Sequence, residues 1–252
     1  LSNADLVMDT HLLEREIFLA IWIVIFSLLT MYLLGFLKFA HDSELKYISV
    51  SRLSAAILTG TLTVYMIPGL WGSPLKLIAA FPPPLEYSES PYGVGNRLGG
   101  NTDEHVEGQH LGPQGIMAFD DYDKGLAYAK KVGKPAVIDF TGRACVNCRE
   151  MEQAVWSDPV IKEILKNDVI LISLYMDLKT KLPKEEQYEN ILLGKTKKVR
   201  TIGDKWQSFQ ISTYGTNAMP YYVFLNHEEE TLVENANYQD YGTVELFKDW
   251  LN

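Results

Sequence analysis

Residues 145–148 read Cys-Val-Asn-Cys, and they hold both cysteines of the 252-residue sequence. A C-x-x-C pair can cycle between two thiols and one disulfide. At the start of a helix, the first sulfur lies beside unpartnered backbone N–H groups and the positive end of the helix dipole. Both favour thiolate over thiol. The three-residue spacing lets the second sulfur attack a mixed disulfide formed on the first. Cys145 is therefore the candidate attacking sulfur and Cys148 the candidate resolving one. Arg143, two residues earlier, adds positive charge nearby. Half a zinc site and two inert buried thiols are the competing readings of the pair. Zinc takes four ligands, however, and the histidines nearest in sequence, His110 and His227, follow no ligand spacing.

Such a pair needs a strand before it and a helix to carry it. Residues 136–140 (AVIDF) form a short apolar run that reads as a buried strand, and a helix is expected from near Cys145 to about Val155. Asp139 is a charge inside that apolar run, which marks it as a functional candidate. Asp120 and Asp121 precede a helix through Lys131, ended by Gly133 and Pro135. Ser157-Asp158-Pro159 supplies an N-cap and an early proline for another helix. Residues 169–176 (VILISLYM) read as a second buried strand. Pro220 opens a strand at 221–225, a turn is expected at 226–230 and a further strand at 231–234. The last helix starts at Thr243 and runs through Trp250. The order β-α-β-α-β, then β-β-α, makes residues 116–252 one compact α/β domain. Residues 178–203 are longer than the strand-to-helix connection requires. Their mixed Lys and Glu content reads as a solvated surface insertion, with a partner-docking element as the alternative.

Upstream, residues 17–37 and 53–75 are runs of 21 and 23 residues without a formal charge. About 20 apolar residues cross the hydrocarbon core, so both read as membrane-spanning helices in a segment covering 1–78. Pro68, Gly69, Gly72 and Pro74 stop the second regular helix near Ile67. The connecting loop carries Lys38, Lys46 and Arg52, against Arg15 before the spans and Lys76 after them. Positive charge stays in the cytoplasm, which puts the loop inside and both chain ends outside. Residues 79–115 read as a Pro/Gly-rich linker, stiff at Pro82-Pro83-Pro84 and flexible beyond. Asp103, Glu104, His105 and His110 within it read as solvated linker residues rather than metal ligands. The sequence begins with Leu, which is read as the start of a fragment.

The run AVIDFTGRACVNCREMEQAVWSDPVIKEIL resembles the C-terminal thioredoxin-like domain of the DsbD family of membrane thiol:disulfide interchange proteins. The two spans and the linker are similar to the end of the same family's membrane part. The resemblance implies a thioredoxin-like α/β domain, with a central mixed β-sheet flanked by helices, preceded by two transmembrane helices. It also implies that Asp139 and Glu152 are functional acids, with Asp139 beneath the cysteines and able to take a proton from Cys148. Glu152, one helical turn past Cys148, would by itself read as a solvated helix residue. Met219-Pro220 matches the family's cis-proline, whose preceding backbone pairs with extended substrate. Met219, Pro220 and Arg143 are the candidate partner-binding residues. One departure is Ala144, where the family carries Trp before the first cysteine; this opens partner preference and redox potential to change.

The sequence carries 23 Lys+Arg against 32 Asp+Glu, a net charge of −9. That balance, with no long basic run, argues against nucleic acid, whose phosphates need cations. Two cysteines exclude a disulfide-stapled miniprotein and an all-cysteine site of four ligands. The expectation is a protein-disulfide reductase tethered to the bacterial inner membrane, its redox domain in the periplasm. Its cofactor is its own Cys145–Cys148 disulfide, because the pair itself carries the two electrons. By resemblance, its partners are membrane lipid, periplasmic thiol proteins including those of cytochrome c maturation, and an electron-transfer segment upstream of Leu1. The alternatives are a stand-alone tethered oxidoreductase, or a thioredoxin-like binding or chaperone module whose cysteines do not turn over.

Overall fold

The computed structural model describes residues 2–42, 47–73, 75–78, 81–85, 87–89, 106–192 and 195–251. It opens with a short helix α1 (Ser2–Met8), then two long helices, α2 (Arg15–Leu33) and α3 (Val50–Met66). Arg52, at the start of α3, donates to the Tyr32 and Leu33 carbonyls at the end of α2, at 2.6 Å each. Thr30 and Thr59 meet mid-helix at 2.8 Å, and Leu19 packs near Gly69 and Leu75. The two helices therefore run antiparallel, which sets the start of α2 and the end of α3 on the same side. Pro68 ends the regular helix as expected, inside a 3-10 turn, Ile67–Trp71. The stretches Arg15–Leu33 and Val50–Trp71 are long and apolar enough to cross a membrane. Ile21, Val24, Ile25, Leu28, Ile57, Leu58 and Val64 point outward, where the core helix of a soluble protein would bury such residues.

The remaining elements are β1 (Gln109–Leu111), β2 (Met117–Phe119), α4 (Tyr122–Val132), β3 (Ala136–Thr141), α5 (Val146–Glu150), α6 (Pro159–Asn167) and β4 (Ile170–Tyr175). After them come β5 (Tyr188–Leu192), β6 (Lys195–Val199), α7 (Ile202–Tyr214), β7 (Tyr221–Leu225), β8 (Ala236–Asn237), α8 (Tyr238–Tyr241) and α9 (Val244–Leu251). Among the described residues the main sheet has the order β1-β2-β4-β3-β7-β8. Its centre is parallel, β2 and β3 each beside β4, and β7 runs antiparallel to β3. Every residue of β3 and β4 is buried, as expected of strands covered on both faces.

Side-chain alternation divides the sheet cleanly. Ala136, Ile138 and Phe140 of β3 join Ile170, Ile172 and Leu174 of β4 in the core beneath α4 and α7. Val137 and Leu171 join the opposite core with Met151, Ile161, Phe247 and Trp250. Asp139 has the parity of Val137, so it faces the layer that carries the cysteine helix.

Three sequence expectations shift. Residues 109–111 lie within the stretch read as linker, yet they form the edge strand β1, paired with β2. A three-residue strand is too short to show alternation. No strand forms over 231–234: Thr231 makes only an isolated bridge to Leu225, and pairing resumes at β8. Asn226 closes the turn by accepting from the N–H groups of Glu228 and Glu230. The surface insertion is partly a β5–β6 hairpin. Lys46, Asp103, Glu104 and His105 lie outside the described residues.

Candidate redox site

Strand direction places the site. The parallel strands β3 and β4 end together, so the loop after β3 and the residues after β4 emerge side by side, the usual place for a site in an α/β sheet. The antiparallel β7 starts at that same end, which brings in residues 219–220. Gly142 sits where the three meet. A Cβ there would lie 2.8 Å from Asp177 Oδ2 and 3.1 Å from Met219 Sδ, so no other residue fits without displacement.

Cys145 is the N-cap of α5 and is half-buried; Cys148, one turn in, is 1% exposed. The two are joined as a disulfide. The backbone N–H of Cys148 donates to Cys145 Sγ at 3.2 Å, the contact that would stabilise a thiolate on the first sulfur. The loop before it is held by Asp177, whose carboxylate accepts the N–H groups of Arg143 (3.0 Å) and Ala144 (2.8 Å). Across from it, the Met219–Pro220 peptide bond is cis. Gln210 of α7, wholly buried, steadies that loop by donating to the Ala218 carbonyl at 3.0 Å.

Beneath the cysteine helix lies a buried charge cluster. Register sets Ser173 and Tyr222 on either side of Asp139. Ser173 Oγ reaches Asp139 Oδ2 at 3.5 Å, while Asp139 Oδ1 has no hydrogen-bond partner among the described residues. Burial pushes the Asp139 carboxyl up to about 7; the Arg149 charge and the Ser173 hydroxyl only partly counteract it. The same burial holds the Tyr222 phenol well above its ordinary range, reinforced by the Asp139 and Glu152 charges. Glu152 is not the solvated helix residue that its type alone implied. It is buried and ion-paired with Arg149 at 2.9 Å. Past Glu150 the helix widens into a π turn, Met151–Val155, and Gln114 donates to the Glu152 carbonyl at 2.9 Å.

Arg143 lines the pocket that Cys145 also lines. It pairs with Asp9, just past α1, and its guanidinium lies over the rings of Tyr87 (5.9 Å) and Tyr175 (5.5 Å). The N-terminal segment therefore rests against the cysteine loop, with a further backbone bond from Lys179 N–H to the Val7 carbonyl (3.0 Å). Pro82, Pro83 and Pro84 are buried rather than a free spacer, because Arg15 donates to the Pro83 carbonyl and Asp5 holds Tyr87. Leu6, Pro82, Pro83, Ala144 and Val146 line that pocket as well. Sequence reasoning missed Arg149 and Asp177. The one available signal was position, directly after the second cysteine and two residues after β4.

Residues 116–226 match a family described as thioredoxin-like. The fold of this stretch is thioredoxin-like. A 62-residue segment is 39% identical to the thiol:disulfide interchange protein DsbD of Salmonella typhi, over 25% of this chain and 11% of that protein. It is 36% identical to DsbD of Escherichia coli (strain K12), with the same coverage of both. The matched segment thus spans about a tenth of these relatives. Two solved structures align at a TM-score of 0.37 each. The oxidoreductase DsbH is 17% identical, covering 52% of this chain and 78% of its own. A thioredoxin from Thermus thermophilus is 19% identical, covering 53% and 83%. The thioredoxin-like fold thus carries a disulfide-type cysteine pair, in a chain similar over 62 residues to thiol:disulfide interchange proteins.

Proposed function

We propose that the protein is a membrane-tethered protein-disulfide reductase. The observation that carries this reading is the orphaned Oδ1 of Asp139, buried on the sheet face beneath the helix of the two cysteines. An inert structural disulfide has no use for a buried carboxylate held near neutral pH, whereas a resolving thiol needs a base. In the cycle, the Cys145 thiolate attacks a partner disulfide, forming a mixed disulfide and releasing the partner's first sulfur as thiolate. Cys148 then gives its proton to Asp139 and attacks Cys145 Sγ. The partner leaves as a dithiol with two electrons, and the Cys145–Cys148 disulfide remains. Met219 and the cis Pro220 flank the cysteine loop where an extended partner segment would pair.

Two outward-facing apolar helices support the tether, and the similarity to DsbD supports a bacterial inner-membrane location with the redox domain in the periplasm. In this reading electrons arrive from membrane-embedded thiols and pass to periplasmic thiol proteins, those of cytochrome c maturation among them. Reduction of insulin disulfides by the reduced full chain in detergent tests the enzyme; a chain that binds but does not reduce is a binding module. Direction is tested by redox equilibration against glutathione. A potential near about −270 mV, the thioredoxin range, supports a reductase, and one near about −120 mV supports an oxidase.

A further inference from the structure

The cycle above leaves a buried cation beside the cysteines without a role. Arg149 follows Cys148 directly and its side chain is 4% exposed. A guanidinium keeps its charge in any protein environment, so burial is tolerated only among compensating groups. Those groups come from several elements. Glu152, one turn along the same helical stretch and 3% exposed, pairs with Nη2 at 2.9 Å. The Gly142 carbonyl, in the loop before the cysteines, accepts from Nη2 at 3.1 Å. Asp139 on β3 and Tyr222 on β7 are paired neighbours on the sheet face that this helical stretch covers, where the Arg149 charge acts to lower both pKa values. Asp177, beyond β4, holds the neighbouring Arg143 and Ala144 N–H groups of that loop, and the Arg143 guanidinium pairs with Asp9. Two anchors thus fix the guanidinium at the buried end of the site, one carboxylate and one carbonyl of the cysteine loop itself.

We propose that Arg149 is a positioning residue for the closing step: held by Glu152 and the Gly142 carbonyl, its charge keeps Asp139 able to take the proton that leaves Cys148. This rests on the reductase reading, in which Cys148 resolves. In the step, the Cys148 S–H bond breaks and its proton passes to the Asp139 carboxylate. The Cys148 sulfur bonds to Cys145 Sγ, and the bond from Cys145 to the partner sulfur breaks, its electron pair leaving on the partner as thiolate. Without Arg149, only the long Ser173 contact offsets the burial of Asp139, and the carboxyl is held protonated to higher pH and closed to that proton.

The test mixes the reduced full chain in detergent with a small aromatic disulfide across a pH series. Attack by Cys145 releases one coloured thiolate, and closure by Cys148 releases the second. In Arg149→Met the midpoint of the closing phase should rise by about one pH unit or more, slowing closure about tenfold at neutral pH. Arg149→Lys, which keeps the charge, should recover most of that loss. Should Arg149→Met alone misfold around an unpaired Glu152, the double variant Arg149→Met/Glu152→Gln removes the pair together and should still raise the midpoint. An unmoved midpoint in the folded variant, or an equal shift in Arg149→Lys, overturns the assignment. Insulin reduction by the unmodified chain is read alongside. Its failure would overturn the reductase reading, while the closing midpoint decides the role of Arg149 separately.

Discussion

Replacing Asp139 with Asn keeps the side chain's size and removes its ability to ionise. The Asp139 carboxyl is lifted from the ordinary 3.8 to about 7, with burial as the largest cause. Each pH unit of such a difference is worth about 1.4 kcal/mol, so a rise of this size costs the folded state about 4 kcal/mol at alkaline pH. The sign follows from which state gives up its proton first. Below the unfolded value both states are protonated and the group costs nothing. As pH rises, the unfolded chain ionises while the folded one stays protonated, and stability falls until the folded carboxyl ionises too. The oxidised Asp139→Asn chain lacks this loss. Its stability relative to the unmodified protein should therefore climb by up to about 4 kcal/mol between roughly pH 3.5 and pH 8. Urea unfolding of both chains in detergent, followed by near-ultraviolet circular dichroism, measures the difference; urea leaves charges unscreened. A difference that stays constant across the pH range would refute the buried, near-neutral carboxyl. The same variant should close its mixed disulfide about a hundredfold more slowly, the scale of a lost general base.

Other outcomes follow from the same geometry. Cys148→Ser should accumulate mixed disulfides with an oxidised partner on non-reducing gels, because Cys145 is half-buried and Cys148 inaccessible; trapping mainly by Cys145→Ser would reverse the roles. In a chain with both cysteines changed to Ser, a cysteine at the exposed His41 should resist membrane-impermeant alkylation in intact cells, and one at the exposed Glu89 should react. The opposite labelling pattern would place the redox domain in the cytoplasm. Asp177→Ala should slow the first attack by Cys145 several-fold, because the Arg143 and Ala144 N–H groups lose their shared acceptor. Normal stopped-flow kinetics with a small disulfide would show that the loop holds its shape without it.

What could be read from the sequence was what local spacing encodes. Two cysteines three residues apart carry their chemistry with them, and a lone Asp in AVIDF is conspicuous because a strand covered on both faces is otherwise apolar. Parity then suffices to aim Asp139 at the cysteine helix. The edge strands were not legible, since β1 has three residues and β8 two, too few for a period to show. Arg149 was hidden for a different reason, and Glu152 was a candidate only through the family resemblance. Opposite charges at i and i+3 on a helix ordinarily read as a solvated pair. Here the face they occupy is the one that also carries Cys148, Met151, Val155 and Trp156, all buried. The apolar members of that face were visible, and continuing their spacing through Arg149 and Glu152 predicts two charges buried on the face that packs over Asp139. Once the cysteine helix buries one face against β3, its charged residues on that face turn inward, which is why Arg149 and Glu152 pair beneath it rather than in solvent.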